Sequence, residues 1–198
     1  MSIAHVQFNE TVYNEDDYYS IPENVRAELI HGRIYYLAAP SRIHQEILSF
    51  LHATIYAHIK AKGGSCKVYP APFAVKLFND RKTIVEPDIS VICDQKKLTD
   101  KGCSGAPDWI IEIISPGNPG NDYVRKLNLY ADAGVREYWI VDPNGKTVSV
   151  YDLAAGTLRA REHTFTDEIE ALIYDDLSIS LTEFSDNSQD KTITEPDE

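Results

Sequence analysis

The chain has 198 residues, of which 43% are hydrophobic and 25% charged, so its length allows one sizeable core and is short for two. Its formal net charge of -12 opposes polyanionic partners and provides no basic footprint for nucleic acid. No run of about 18 consecutive apolar residues is present, and the acidic N-terminal segment lacks the features of a secretion signal. These features predict a soluble cytoplasmic protein with no membrane partner.

The chain contains no internal repeat and no linker rich in proline or glycine. We expect a lead-in over residues 1–20, one domain over 21–184 and an acidic, disordered tail over 185–198. In the tail, five acids outweigh one lysine, a net -4, and no apolar period is present. Because -12 less -4 leaves -8, a nucleic acid substrate would require local basic residues and bound metal.

The first predicted elements are a hairpin and a long helix. Two β-prone runs, residues 25–30 and 33–37, flank the turn signal of His31 and Gly32. Apolar residues then recur at helical spacing from Ile47 to Ile59, and Gly63 follows as an expected end of the helix.

Strands dominate the rest of the chain. Three strand candidates cover residues 66–77, 83–93 and 109–115, of which the last two are apolar enough for central strands. A second helix is predicted from residue 121 to residue 133, with Gly134 as a left-handed cap. Further strands are predicted over 137–141, 147–153, 158–165 and 170–173. This order predicts a mixed α/β (α+β) fold in which helices flank a mixed sheet.

Three cysteines, Cys66, Cys93 and Cys103, are odd in number and follow no metal-ligand spacing. In a reducing compartment they are most simply buried or idle thiols. We therefore expect no chemical role for them.

Two carboxylates stand within apolar, strand-like runs, Asp88 in the second candidate strand and Glu112 in the third. A carboxylate among isoleucines is costly to desolvate, so it usually persists because a partner such as a cation pairs with it. Either acid alone is explained by a structural ion pair. Two acids in successive apolar strands, followed by Lys126 on a helix, favour a metal-dependent hydrolase site in which neighbouring strands bring both carboxylates to one magnesium ion.

Lys126 lies one turn from Asp122 and from Tyr130 on the predicted second helix. One interpretation is a solvated lysine that forms surface pairs. The other is a cation that positions the attacking water and stabilises the charge developing on a phosphate. The two acids favour the second interpretation.

A longer pattern contains these residues. Its parts are Glu28-Leu29-Ile30-His31-Gly32, Pro40-Ser41 with His44, Glu86-Pro87-Asp88, Gly105-Ala106-Pro107-Asp108, Glu112-Ile113-Ile114-Ser115-Pro116, Asp122, Lys126, Tyr130-Ala131-Asp132-Ala133-Gly134-Val135 and Glu137-Tyr138-Trp139-Ile140-Val141-Asp142-Pro143. The pattern resembles the Uma family of endonucleases, a former domain of unknown function, over about residues 11–184. That family is similar to the PD-(D/E)XK, or restriction-endonuclease-like, superfamily. The resemblance implies that fold, DNA as partner and Mg²⁺ or Mn²⁺ as cofactor.

The resemblance also implies residue roles. Asp88 and Glu112 correspond to the metal-binding acids, and the Ile113 backbone carbonyl to the group that completes the protein ligands. The superfamily places a lysine two residues after the second acid, where this chain has Ile114. Some branches move the lysine to the following helix, which nominates Lys126.

Two further residues belong to the candidate site. Glu28 matches an early acidic residue that approaches the metal directly or through water. His44 falls near the apolar face at the start of the first long helix, where it is either a packing residue or an additional site residue. Tyr130, Tyr138 and Trp139 are expected in the core or in the wall of the site.

The sequence therefore predicts a magnesium-dependent endodeoxyribonuclease. Asp88 and Glu112 hold the ion, Lys126 orients the nucleophile, and Glu28 supports the outer shell. Two alternatives stay open: a non-catalytic metal-binding or scaffolding protein on the same fold, which the acidic surface suits, and a hydrolase of a small phosphorylated or nucleotide substrate. Because cleavage of both DNA strands takes two active sites, a homodimer is a further expectation.

Overall fold

A computed structural model of the chain describes residues 11–115 and 121–185; the predicted acidic tail lies outside the described residues from position 186 onward. Three α-helices and fourteen β-strands are present in these ranges. The helices are α1 (Glu15–Tyr19), α2 (Arg42–Lys62) and α3 (Asn121–Ala133). The strands are β1 (Ala27–Ile30), β2 (Arg33–Tyr36), β3 (Lys67–Pro70), β4 (Val75–Lys76), β5 (Ile84–Val85), β6 (Ile89–Ile92), β7 (Leu98–Thr99), β8 (Gly102–Ser104), β9 (Trp109–Ile113), β10 (Glu137–Asp142), β11 (Thr147–Asp152), β12 (Ala160–Thr164), β13 (Ile169–Glu170) and β14 (Ser178–Ile179).

The predicted hairpin and both predicted helices are confirmed. His31 and Gly32 adopt φ angles of 49° and 80° in the β1–β2 turn, as a two-residue hairpin turn requires. The Ser41 hydroxyl caps α2 by accepting the His44 amide, and Gly63 ends the helix with a φ of 63°.

Two six-stranded sheets form the framework. The first sheet has the order β2-β1-β5-β4-β8-β7, and the second has the order β12-β11-β10-β9-β6-β3. Each contains one parallel pair, β4–β8 in the first and β9–β10 in the second, among antiparallel neighbours. The predicted fold class, a mixed α/β fold with helices on the sheets, is confirmed, but the strands are divided between two sheets.

Two of the predicted strands are wrong in extent, because the chain changes sheet within each of them. Residues 66–77 form β3 in the second sheet and β4 in the first, and residues 83–93 form β5 in the first sheet and β6 in the second. Pro72 and Pro87 interrupt these runs, since proline cannot donate to a strand ladder. The segment Glu86-Pro87-Asp88 therefore crosses from one sheet to the other.

The second sheet separates two apolar clusters. On one face, Trp109, Ile111 and Ile113 of β9 pack with the buried side of α2. On the other face, Ile110 packs with residues of the first sheet and with α3, including Tyr130. Glu112 shares the face of Ile110, because alternate strand residues point to the same side. The polar cluster described below thus lies between the sheets, under α3.

The expectation of idle thiols is wrong for Cys66 and Cys93, which form a disulfide. Pairing of Lys67 with Ile92 in the β3–β6 ladder brings the two cysteines together one residue further on, which their spacing in the sequence does not reveal. Cys103 is free and buried, as predicted.

Within the described ranges, none of the helices combines the length and the apolar character needed to cross a membrane. Short elements that the sequence pattern did not indicate are α1, β7, β8 and β14. Helix α1 contributes the buried Tyr18 to a small cluster with Leu29 and Ile84.

Candidate active site

Glu112 lies at the centre of a buried polar cluster. Its residue is 6% exposed, and its Oε1 atom accepts a hydrogen bond from Lys126 Nζ at 3.0 Å and another from the Tyr130 hydroxyl at 2.6 Å. Lys126 and Tyr130 are four residues apart, so α3 presents both on one side. Helix α3 therefore holds the carboxylate of β9 with two donors.

Lys126 joins the two sheets. Its ammonium also donates to Glu28 Oε1 of β1 at 2.9 Å, and the same oxygen accepts the backbone amide of Glu86 at 3.0 Å. The Lys126 and Glu28 side chains are only 4% and 2% exposed. The cation is thus shared by one carboxylate of the first sheet and one of the second.

Asp88 occupies the bend immediately before β6. Its Oδ2 atom accepts the Ile113 backbone amide at 2.8 Å and lies 3.1 Å from His44 Nε2 of α2. Ile89 pairs with Ile111 in the antiparallel β6–β9 ladder, so one further step of the register sets Asp88 opposite Glu112. Side chains at opposite positions share a face, with Cβ atoms about 4.5–5.5 Å apart.

Electrostatic interactions within the cluster favour a charged lysine and a readily protonated glutamate. Burial raises the pKa of the Glu112 carboxyl to about 7; Asp88 and Glu28 act in the same direction, while Lys126 and the Tyr130 hydroxyl oppose them. Burial by itself lowers the pKa of the Lys126 ammonium, but Glu112 and Glu28 outweigh it and raise that pKa above its usual value. The ammonium therefore stays charged, and Glu112 titrates near neutral pH.

The carboxylates retain oxygens that could hold a divalent cation. The hydrogen bonds described above use Asp88 Oδ2 and Glu112 Oε1, so the second oxygen of each carboxylate is the candidate ligand atom. With Asp88, Glu112 and Glu28 ionised and Lys126 protonated, the formal charge of the cluster is three negative less one positive, or -2. A dication would balance that charge, and hard oxygen donors are the ligands that magnesium and manganese prefer.

Residues 11–115 and 121–185 contain no group of three or more His, Cys, Asp or Glu side chains arranged to hold a metal. The predicted ligand set has two carboxylates and one backbone carbonyl, and Mg²⁺ usually keeps several water ligands, so two acids suffice. The residues present fit such an ion on the chemistry of their donors.

The structure places the predicted site residues in two hydrogen-bonded groups at the end of β9: Lys126 with Glu112 and Glu28, and Asp88 with His44 and the Ile113 amide. The prediction that the Lys126 ammonium points towards the acids is confirmed for Glu112. The catalytic and metal-binding roles of these residues stay predictions.

The structure adds two tyrosines to the candidate site. Tyr130 was expected in the core or the site wall, and it donates directly to Glu112. Its position four residues after Lys126 was the available signal. Tyr123 is buried nearby, where burial and then the Glu112 charge raise its pKa. Nothing in the sequence pattern distinguished it from a packing residue.

Comparisons with known proteins show the family of this chain and its fold. A profile of the Uma2 family, described as "Putative restriction endonuclease", matches residues 15–182. A crystal structure described as "a putative nuclease belonging to DUF820" from Anabaena variabilis ATCC 29413 superimposes with a TM-score of 0.72. It is 21% identical, and the match covers 86% of this chain and 96% of that chain, which establishes a shared fold.

A curated relative gives no functional description. It is "Uncharacterized protein slr1290" of Synechocystis sp. (strain ATCC 27184 / PCC 6803 / Kazusa), 25% identical over 125 residues. The matched part spans 63% of this chain and 64% of that protein, so slightly less than two thirds of the relative is covered.

Proposed function

Because this chain belongs to the Uma2 family, we propose that it is an endonuclease that hydrolyses DNA phosphodiester bonds with Mg²⁺ or Mn²⁺. The observation that carries the proposal is the placement of Asp88, in the bend before β6, beside the end of β9, where its carboxylate accepts the Ile113 amide and Lys126 is bonded to the adjacent Glu112. A solved nuclease-like neighbour with the same fold supports it.

In this proposal, Asp88, Glu112 and the Ile113 backbone carbonyl are the protein ligands. Bound there, a divalent ion polarises the phosphate and lowers the pKa of a water molecule. The Ile113 amide and His44 hold Asp88 Oδ2, which leaves Oδ1 for the ion. Tyr130 holds Glu112 Oε1 in the same way, which leaves Oε2.

Lys126 supplies the positive charge next to the ligands. Its raised pKa keeps the ammonium protonated, so its function is to orient the nucleophile and to stabilise negative charge on the phosphate, with no role as a base. Glu28 holds the ammonium from the side opposite to Glu112. We propose that Glu28 is a positioning residue for Lys126.

A non-catalytic protein on the same fold is the second candidate. Its support is that Lys126 is buried and already bonded to two carboxylates, as in a purely structural ion network. In that case the cluster stabilises the junction of the sheets and no substrate reaches it.

Cleavage of supercoiled plasmid DNA distinguishes the two candidates. We expect the wild-type chain to nick or cut DNA with Mg²⁺ or Mn²⁺ and to be inactive with EDTA. Asp88→Asn and Glu112→Gln should each reduce the rate at least about 100-fold while the protein stays folded, because loss of one ligand removes several kcal/mol of transition-state stabilisation.

Glu170→Gln is the matched control, since Glu170 is an exposed residue of β13 and the substitution changes the charge equally. Cleavage that persists in both site variants would contradict the proposed site. Absence of cleavage by the wild-type chain at low salt, across linear, supercoiled and single-stranded DNA, would favour the non-catalytic candidate.

A further inference from the structure

Lys126 is buried and already paired, so a DNA phosphate that approaches the candidate site needs another cation to bind it. The Lys126 side chain is 4% exposed, and Glu28 and Glu112 already engage its ammonium. A phosphodiester that approaches the carboxylates of a chain with a net charge of -12 needs a second cation at the entrance.

Arg125 precedes Lys126 on α3 and is partly exposed. Its guanidinium carbon lies 4.1 Å from the centre of the Tyr35 ring. A cation–π contact of this kind restrains the long arginine side chain, so less rotamer entropy is lost when the guanidinium binds a ligand.

The position of Tyr35 relates this stack to Glu28 of the acidic cluster. Tyr35 of β2 pairs with Glu28 of β1, and residues at opposite positions of an antiparallel pair share a face. Glu28 is the residue that binds Lys126. The ring on which the guanidinium stacks therefore lies on the same face of the first sheet as Glu28, the residue that holds Lys126.

Arginine is the side chain best suited to bidentate phosphate binding, because its planar guanidinium presents several donors in a fixed geometry. The contact of Arg125 with the Tyr35 ring comes in addition to the other interactions of this residue.

We propose that Arg125, restrained by Tyr35, binds a backbone phosphate of the DNA next to the bond that is cleaved. The inference rests on the proposed endonuclease function and adds a phosphate-binding residue to it. Arg125 acts in binding, so its loss should change the affinity for DNA more than the rate of the chemical step.

The test combines DNA cleavage kinetics with metal-free DNA binding at several salt concentrations. Arg125→Gln should raise KM and Kd about tenfold or more, with a smaller change in kcat, because a hydrogen-bonded charge contact is lost. It should also reduce the slope of log Kd against log salt by about one. Arg159→Gln, which removes the same charge from an exposed position, should leave both constants within about twofold.

Two further variants separate binding from folding. Arg125→Lys keeps the charge and should still raise KM severalfold, because the bidentate geometry is lost. Tyr35→Phe keeps the ring and should behave as wild type, whereas Tyr35→Leu should weaken DNA binding without a change in the salt slope. If Arg125→Gln fails to fold, the KM of Arg125→Lys tests the proposal in its place: a KM raised severalfold supports it, and a wild-type KM overturns it.

If the Arg125 variants have the same kinetic constants as Arg159→Gln, the inference about Arg125 is overturned. The proposed function still stands in that case, provided that the wild-type chain cleaves DNA. A wild-type chain that neither binds nor cleaves DNA would overturn both.

Discussion

The proposed metal binding at the polar cluster should depend on the protonation of Glu112. Its pKa is raised to about 7, chiefly by burial, and a protonated carboxyl is a poor metal ligand. As pH rises through about 7, loss of this proton supplies the charged carboxylate that the proposed site requires. Metal affinity and DNA cleavage should therefore both increase across this range.

Tyr130→Phe tests this pH dependence. The Tyr130 hydroxyl donates to the ionised Glu112 carboxylate at 2.6 Å and so lowers its pKa. Without the hydroxyl, the pH midpoint of Mn²⁺ binding in calorimetric titrations should rise by about one to two units, because a hydrogen bond to a charged group contributes about 1.5–3 kcal/mol. Tyr151→Phe is a control on an aromatic residue of β11, and it should leave the midpoint unchanged. A midpoint that does not move in Tyr130→Phe would show that this hydrogen bond does not set the protonation of Glu112.

At the residue scale, much of the cluster could be predicted from the sequence. Asp88 and Glu112 are visible as acids in apolar runs and Lys126 as a lysine on the next helix, and the family resemblance supported Lys126 and added Glu28. The spacing of Tyr130 four residues after Lys126 is compatible with the contact to Glu112 but does not decide it, because a tyrosine at helical spacing among apolar residues equally indicates core packing. The docking angle of α3 on β9 decides where that hydroxyl lies.

At the scale of elements, the Lys126 network connects β1 of the first sheet, β9 of the second sheet and α3. Lys126→Met would leave Glu28 and Glu112 buried without their shared cation. We expect the free energy of unfolding at pH 8 to fall by about 3–5 kcal/mol in chemical denaturation, as for other broken buried ion pairs.

Adding Glu28→Gln to Lys126→Met should recover part of this loss, because one uncompensated charge is removed. Lys67→Met, at an exposed position of β3, should change the free energy by less than about 0.5 kcal/mol. Similar losses for the exposed and the buried lysine would refute the assignment of the network as a junction between sheets.

The Cys66–Cys93 disulfide closes a loop with a sequence separation of 27 residues that contains β3 to β6. The chain-entropy relation gives about 3.5 kcal/mol for a loop of this length. Reduction should lower the free energy of unfolding by an amount of this order, and the Cys66→Ser/Cys93→Ser variant should be insensitive to reductant. Equal stability of the wild-type chain with and without reductant would contradict a stabilising disulfide.

The sequence predicted the helices correctly, because their apolar pattern continues over many residues. It failed for the two strand runs in which the chain passes from one sheet to the other. Helices α2 and α3 have sustained apolar periods and clear glycine caps. The runs over residues 66–77 and 83–93 look like single strands, since β-prone residues continue on both sides of Pro72 and Pro87. Which sheet each half joins depends on long-range pairing, and that information is absent from local sequence. The disulfide was missed for the same reason, because the β3–β6 pairing that brings Cys66 next to Cys93 is a long-range contact.

At the scale of the whole molecule, a net charge of -12 disfavours long polyanions, so DNA binding must depend on local positive charge. In the proposals made above, this charge comes from Lys126 and Arg125, and a bound dication would add to it. With so few cations the chain should bind DNA weakly without metal, and the slope of log Kd against log salt should be shallow. The homodimer expected for cutting both strands stays a prediction.

The most direct test of the account is the position of Mn²⁺ in crystals of the wild-type chain, located by anomalous scattering. One strong peak is expected within about 2.0–2.6 Å of Asp88 Oδ1, Glu112 Oε2 and the Ile113 carbonyl oxygen. The peak should be absent from crystals of Glu112→Gln treated identically and present in those of Glu170→Gln. No peak at these atoms at saturating Mn²⁺ and pH 8, with Lys126 still bonded to both glutamates, would contradict the proposed metal site.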